Sequence, residues 1–120
     1  MLQKSKAFLL DHVEPKEYVD SGIQRQMLGF NGDIMMVKAV FEDGSIGYVH
    51  EHVHSQSTYV ASGEFEVTIG DEVQRVSAGD SFFIEPNIRH GAVCIKAGVL
   101  IDAFSPCRED FLNRDNNNEN

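Results

Sequence analysis

Histidine stands at three alternate positions, His50, His52 and His54, with Gln56 two residues on and His90 behind a Gly79-Asp80 turn. On an extended chain, residues i, i+2 and i+4 share one face, with neighbours roughly 6.5–7 Å apart. Imidazoles spaced this way can converge on one cation, because a neutral imidazole nitrogen is a good donor to borderline divalent metals. A hydrated surface run explains an isolated His-x-His pair more simply; the triplet, joined by Gln56 and His90, weighs toward a metal site. A second group lies later in the chain. Asp102 interrupts the apolar run from Val99 to Phe104 and shares a face with Leu100 and Phe104. A carboxylate there is costly to bury unless it is paired, hydrogen-bonded or chemically engaged. Ser105-Pro106 ends the run, and Arg108 can curl back over it. Two plainer readings stand level with this one: Asp102 on the solvent side of an edge strand, and Arg108 as a surface charge beside Glu109 and Asp110. Cys94 is read as a packing residue, and Cys107, beside Arg108, is given no chemistry.

The elements that must position these groups read as strands. Turn signals recur at short intervals: Asn31-Gly32-Asp33, Asp43-Gly44-Ser45, Ser62-Gly63, Gly70-Asp71, Ala78-Gly79-Asp80 and Ala97-Gly98. Between them lie runs of strand length at 34–41, 46–50, 59–61, 65–69, 81–84, 92–95 and 99–104. Glu64 to Ile69 alternates polar and apolar, as a half-buried strand does. Many short strands with glycine-rich turns predict an all-β sandwich or barrel. Residues 5–13 and 108–112 are the only candidates for a short turn or helix. The expected organisation is an N-terminal segment over 1–24 (a short helix or edge strand), a barrel over 25–112, and a disordered polar tail over 113–120.

Composition bounds the rest. The chain's 120 residues suit one domain with a real core. Its net charge of −9 opposes nucleic acid and anionic membrane as partners. Two cysteines are too few for a disulfide framework. No leader peptide and no run of the ~18 apolar residues a membrane helix needs is visible, so a cytoplasmic location is expected.

A longer pattern resembles a known family. Gly44, five residues, His50, one, His52, three, Gln56, six, Gly63 resembles the first cupin motif, with Gln in place of the usual Glu. Gly79 to His90 resembles the second. It keeps Gly79, Pro86 and His90, lacks a glycine between the last two, and is followed by Cys94 where Asn is common. With Tyr59-Val60, Ser62-Gly63-Glu64-Phe65, His90-Gly91 and Asp102-x-Phe104-Ser105-Pro106-x-Arg108 added, the chain is similar to the KdgF group of small cupins over about residues 25–112.

That resemblance implies a single-domain, double-stranded β-helix (jelly-roll) barrel. It implies one divalent metal, Ni, Fe, Mn or Zn, held by His50, His52, Gln56 and His90, with His54 outside the set. A neutral Gln ligand leaves the 2+ charge uncancelled and the ion a stronger Lewis acid. The implied activity is linearisation of 4,5-unsaturated monouronates, left by pectin or alginate lyases, to open-chain 4-deoxy-5-keto-uronates. Asp102 would be the acid–base group, Arg108 would hold the carboxylate and Phe104 would wall the sugar. An anionic sugar entering an acidic chain needs local positive charge, expected from the metal, Arg108 and Arg89. A cupin dioxygenase, another isomerase and a non-catalytic sugar-binding cupin are the competing readings, and a homodimer is expected.

Overall fold

Apolar alternation and turn glycines build eight strands across residues 3–112, the part of the chain that this computed structural model describes. They are β1 (Lys16–Asp20), β2 (Ile23–Phe30), β3 (Met35–Phe41), β4 (Ile46–His50), β5 (Ser55–Ile69), β6 (Glu72–Ser77), β7 (Ser81–Ile84) and β8 (His90–Ser105). All pairings are antiparallel, in the order β1-β2-β3-β8-β5-β6, with β4 added on β8 and β7 on β5. The all-β expectation holds. Residues 5–13 form no helix, only a turn at 11–13, and 109–112 make one helical turn. The expected tail at 113–120 lies outside the described residues. Among the described residues no helix is long and apolar enough to cross a membrane.

Two of the turn signals do not end strands. Ser62-Gly63 lies inside β5 and Ala97-Gly98 inside β8, so four expected short strands are two long ones. These strands run side by side from Ser55↔Ser105 to Ile69↔His90, and their register slips between Val60 and Phe65. Gly63 has φ +84, and a Cβ there would lie 2.6 Å from both the Gly98 Cα and the Lys96 carbonyl oxygen. Both strands therefore bend together, backbone on backbone, at a place only glycine can fill. Before the bend β5 pairs with β7; after it, with β6. β8 likewise pairs first with β4 and then with β3. One bent ribbon thus joins two sheets.

The inward faces form the core. Ile23, Phe41, Val60, Phe65, Val67, Val76, Cys94 and Leu100 make one buried cluster, with Phe41 edge-on to Phe65 at 5.1 Å. Met35, Val37, Phe104 and Cys107 make another beside it. The register sets the rows of the first sheet: Val37, Asp102, Thr58 and Phe82 lie abreast, as do Met35, Phe104, Gln56 and Ile84. Asp102 therefore occupies an inward row, not the solvent side of an edge strand.

Gly63→Ala should lower stability by about 2–4 kcal/mol, since it adds backbone collision to left-handed strain. Gly44→Ala should cost only about 1–2 kcal/mol, because Gly44 has φ +77 and open space around its Cβ. Urea unfolding of the two variants checks this, and equal losses would contradict the bend.

Candidate metal centre

β4 ends at His50, directly opposite His90 at the start of β8. His52 follows in the loop 51–54 that leads into β5. One side-chain nitrogen from each of His50, His52 and His90 lies within 4.8 Å of the others. The expected single face for His50, His52 and His54 is not what forms, because the strand stops at His50 and the alternation stops with it. His54 leaves the cluster for a second depression that it lines with Glu51, Cys107 and Asp110.

The hydrogen bonds of the three rings decide their tautomers. Nδ1 of His50, His52 and His90 faces the carbonyl oxygens of Tyr48, His54 and Ile88 at 2.9, 3.0 and 2.9 Å. A carbonyl only accepts, so each Nδ1 is the protonated nitrogen, and in the neutral ring each Nε2 carries the lone pair. Burial holds His90 well below the ordinary histidine range, at about 4, with His50 and His52 adding to the effect. Burial also lowers His52. These two rings are neutral donors.

Gln56 supplies the observation that favours a cation. Its amide nitrogen donates to Thr58 Oγ1 at 2.9 Å and to Asp102 Oδ1 at 3.3 Å, while Thr58 Oγ1 donates to Asp102 Oδ1 at 2.7 Å. The amide is thereby oriented with Oε1 toward His52 Nε2, 3.0 Å away. Two lone pairs face each other there, and the buried His90 Nε2 has no hydrogen-bond partner. A divalent ion resolves both conditions. A separation of 3.0 Å is short enough for one ion to take both donors, at bonds of about 2.1 Å each. The donor set, three imidazoles and an amide oxygen, fits a borderline dication.

A cavity of about 330 Å³ opens beside this cluster, lined by His50, Gln56, His90, Asp102, Phe104 and Arg108 among others. The structure thus gathers into one site residues that lie 58 positions apart in the chain, from His50 to Arg108. Asp102 borders the cavity, and burial raises its carboxyl to about 6, against the pull of Thr58, Gln56 and Arg108. Phe104 packs edge-on to His52 at 5.7 Å. Arg108 is buried rather than a surface charge, and Asp110 grips it twice, at Nε (2.9 Å) and Nη2 (2.7 Å). The expected contribution of Arg89 is not seen: it precedes the inward His90 by one residue, so it faces out and is exposed. Arg25 on β2 and Phe111 in the helical turn also line the cavity, a position that the sequence motifs did not mark. Arg25 sits in an alternating run, Ile23-x-Arg25-x-Met27, whose inward phase was the available signal.

Comparison with known proteins agrees with this geometry. A family model described as "Cupin domain" matches residues 37–103. The chain is 41% identical over 109 residues to the pectin degradation protein KdgF of Dickeya dadantii (strain 3937), covering 89% of this chain and 99% of that one. An RmlC-like cupin from Shewanella frigidimarina superposes with a TM-score of 0.89 at 50% identity, over 91% of this chain and 98% of that one. The structure of KdgF from Halomonas sp. gives 0.84 at 37% identity, over 89% and 99%.

Adding Zn²⁺, Ni²⁺ or Mn²⁺ to chelator-stripped protein should raise Tm, by the equivalent of about 2.7 kcal/mol at a hundredfold excess over Kd. His90→Ala should abolish that rise. Identical melting curves with and without each ion would refute the centre.

Proposed function

This chain belongs to the cupin family and is a KdgF-like small cupin, and from that membership we propose that it is a ring-opening isomerase of pectin breakdown. Its substrate would be a 4,5-unsaturated monouronate and its product the open-chain 4-deoxy-5-keto-uronate. The observation that carries this reading is the Gln56 amide, whose oxygen faces the imidazole cluster while its nitrogen binds the Asp102 carboxylate. It holds a candidate metal donor and a candidate proton carrier in one rigid unit.

The chemistry suits these groups. The substrate is a cyclic enol ether with a hemiacetal at C1. Asp102, as carboxylate, accepts the C1 hydroxyl proton; the C1–O5 bond breaks, C1 becomes an aldehyde, and the electron pair passes to O5 as an enolate. Asp102 then returns a proton to C4, and C5 becomes a ketone. Atoms balance without an oxidant. Burial raises the Asp102 carboxyl, which favours its giving a proton as well as taking one; the charge of a bound dication would oppose that rise. When bound by His50, His52, Gln56 and His90, a divalent ion supplies Lewis-acid stabilisation to oxygens that gain negative charge. Phe104 offers an apolar wall, and Arg108 offers a guanidinium to the uronate carboxylate.

The homodimer also belongs to this reading. Met36, Tyr59 and Phe83, with Ile34 just before β3, are exposed on the outer face of β3, β8, β5 and β7, where Met36, Ala103, Ser57 and Phe83 lie abreast. The charged side chain in the next row, Lys38, is bridged to Asp11 at 2.7 Å. Two copies of a chain carrying −9 repel over most of their surfaces, and this uncharged face suits a symmetric contact.

Metal-loaded protein should remove the alkene absorbance of unsaturated galacturonate faster than buffer, with or without O₂, and chelation should stop it. Asp102→Asn should lower kcat by about 10²–10⁴-fold. Arg108→Ala should lower kcat/KM by the equivalent of about 2–3 kcal/mol. A wild-type rate equal to buffer would overturn the activity. Light scattering should report a dimer that Phe83→Glu splits; a monomeric wild type would overturn the contact.

A further inference from the structure

Arg25 lies on an inward row of the first sheet, abreast of Ala39, Leu100 and Val60 and next to the row that holds Asp102. Its neighbours in phase, Ile23 and Met27, face the core, and Arg25 itself is only 8% exposed. A guanidinium among apolar side chains at a cavity wall is expensive unless it meets negative charge. Glu17 on β1 meets it from one side, accepting from Nη2 at 3.1 Å, with its carboxylate 44% exposed toward solvent. Arg108 repeats the arrangement, with Asp110 57% exposed. Both guanidiniums pack on the same ring, Phe111, at 3.8 and 4.1 Å from its centroid. Two like charges are thereby drawn to one part of one cavity, each with its acidic partner on the outside.

The Nε–Nη2 edge of Arg108 is already occupied by Asp110. That edge is one of the two on which a guanidinium takes a carboxylate through both oxygens. Arg108 by itself is therefore a reduced receptor for an incoming carboxylate, and a second cation stands on the same aromatic ring. We infer that Arg25 is a second carboxylate-binding residue, sharing the sugar acid's carboxylate with Arg108 across Phe111. This rests on the reading of the cavity as a uronate site. A neutral sugar in the same place brings no carboxylate for the two guanidiniums to share beyond Glu17 and Asp110, so the pair selects sugar acids over neutral sugars.

The test uses metal-loaded full-length protein, the unsaturated monomer released from polygalacturonate by a pectate lyase, and calorimetric titration with saturated galacturonate. Arg25→Gln should raise KM at least tenfold with kcat within about threefold, and weaken galacturonate binding in parallel. Arg25→Lys, which keeps the charge, should recover part of the loss. Metal content of both variants should stay near wild type, whatever the loss of the Glu17 pair does to Tm. Unchanged KM and galacturonate affinity in Arg25→Gln would overturn the inference. So would a fall in kcat together with metal content, which marks a purely structural residue. If Arg25→Gln does not fold, Arg25→Lys decides, since wild-type KM in that variant also overturns it. A wild type without turnover sinks the proposed reaction, while the galacturonate titration still judges Arg25: equal binding in wild type and variant, or none in either, rejects it.

Discussion

The orientation of one side-chain amide organises the centre of this protein. Gln56 can point its oxygen at His52 only because its nitrogen is claimed by Thr58 and Asp102. A carboxylate at position 56 could not donate to Asp102; it would set two acids face to face and force one to take up a proton. The Gln that departs from the usual cupin pattern therefore does two things. It leaves the charge of a bound dication intact, and it ties the Asp102 carboxylate to the imidazole cluster through donors rather than repulsion. Thr58, only 1% exposed, completes the unit by accepting from Gln56 and donating to Asp102. Two donors thus converge on Asp102 Oδ1, and such a network is rigid.

The fold exists around that unit in a specific sense. Gln56 and Thr58 lie on β5, Asp102 and Phe104 on β8, and these are the two strands that bend together where Gly63 meets Gly98. One side of the bend carries the amide and the acid; the other carries His90, which β4 meets with His50. The bend folds one sheet toward the other, so donors from both reach a single point. A straight β5–β8 ribbon would keep Asp102 and His90 12 positions apart along one strand, roughly 40 Å at full extension.

Charge is distributed against the net sign of the chain. The surface is acidic, yet the cavity wall carries two buried guanidiniums and the donors for a cation. Each arginine is anchored by an outer carboxylate, Glu17 or Asp110, so its charge is held in place before any ligand arrives. Such preorganisation spares an anionic ligand the ordering of two long side chains. The acidic exterior and the cationic interior are compatible because the interior charges are few, local and weakly screened by solvent.

Much of this was written locally in the chain. Alternation and turn glycines determined an all-β barrel, and the spacings from Gly44 to Gly63 and from Gly79 to His90 marked the histidines and Gln56. The apolar run around Asp102 marked an acid that had to be paired if it faced inward, and only pairing with β3 and β5 put it there. Other features depended on pairing between distant strands. Ser62-Gly63 and Ala97-Gly98 look like turns, and only their mutual contact makes them a bend within two continuous strands. His54 has the spacing of its neighbours but not their destination, because a strand's periodicity ends where its partner does. Arg25 lies 83 positions from Arg108; its alternating run hints at an inward face, but nothing local says that this face meets Arg108. Local sequence specifies which face a side chain takes; which other faces it then meets is decided by long-range register, and that is a property of the folded barrel alone.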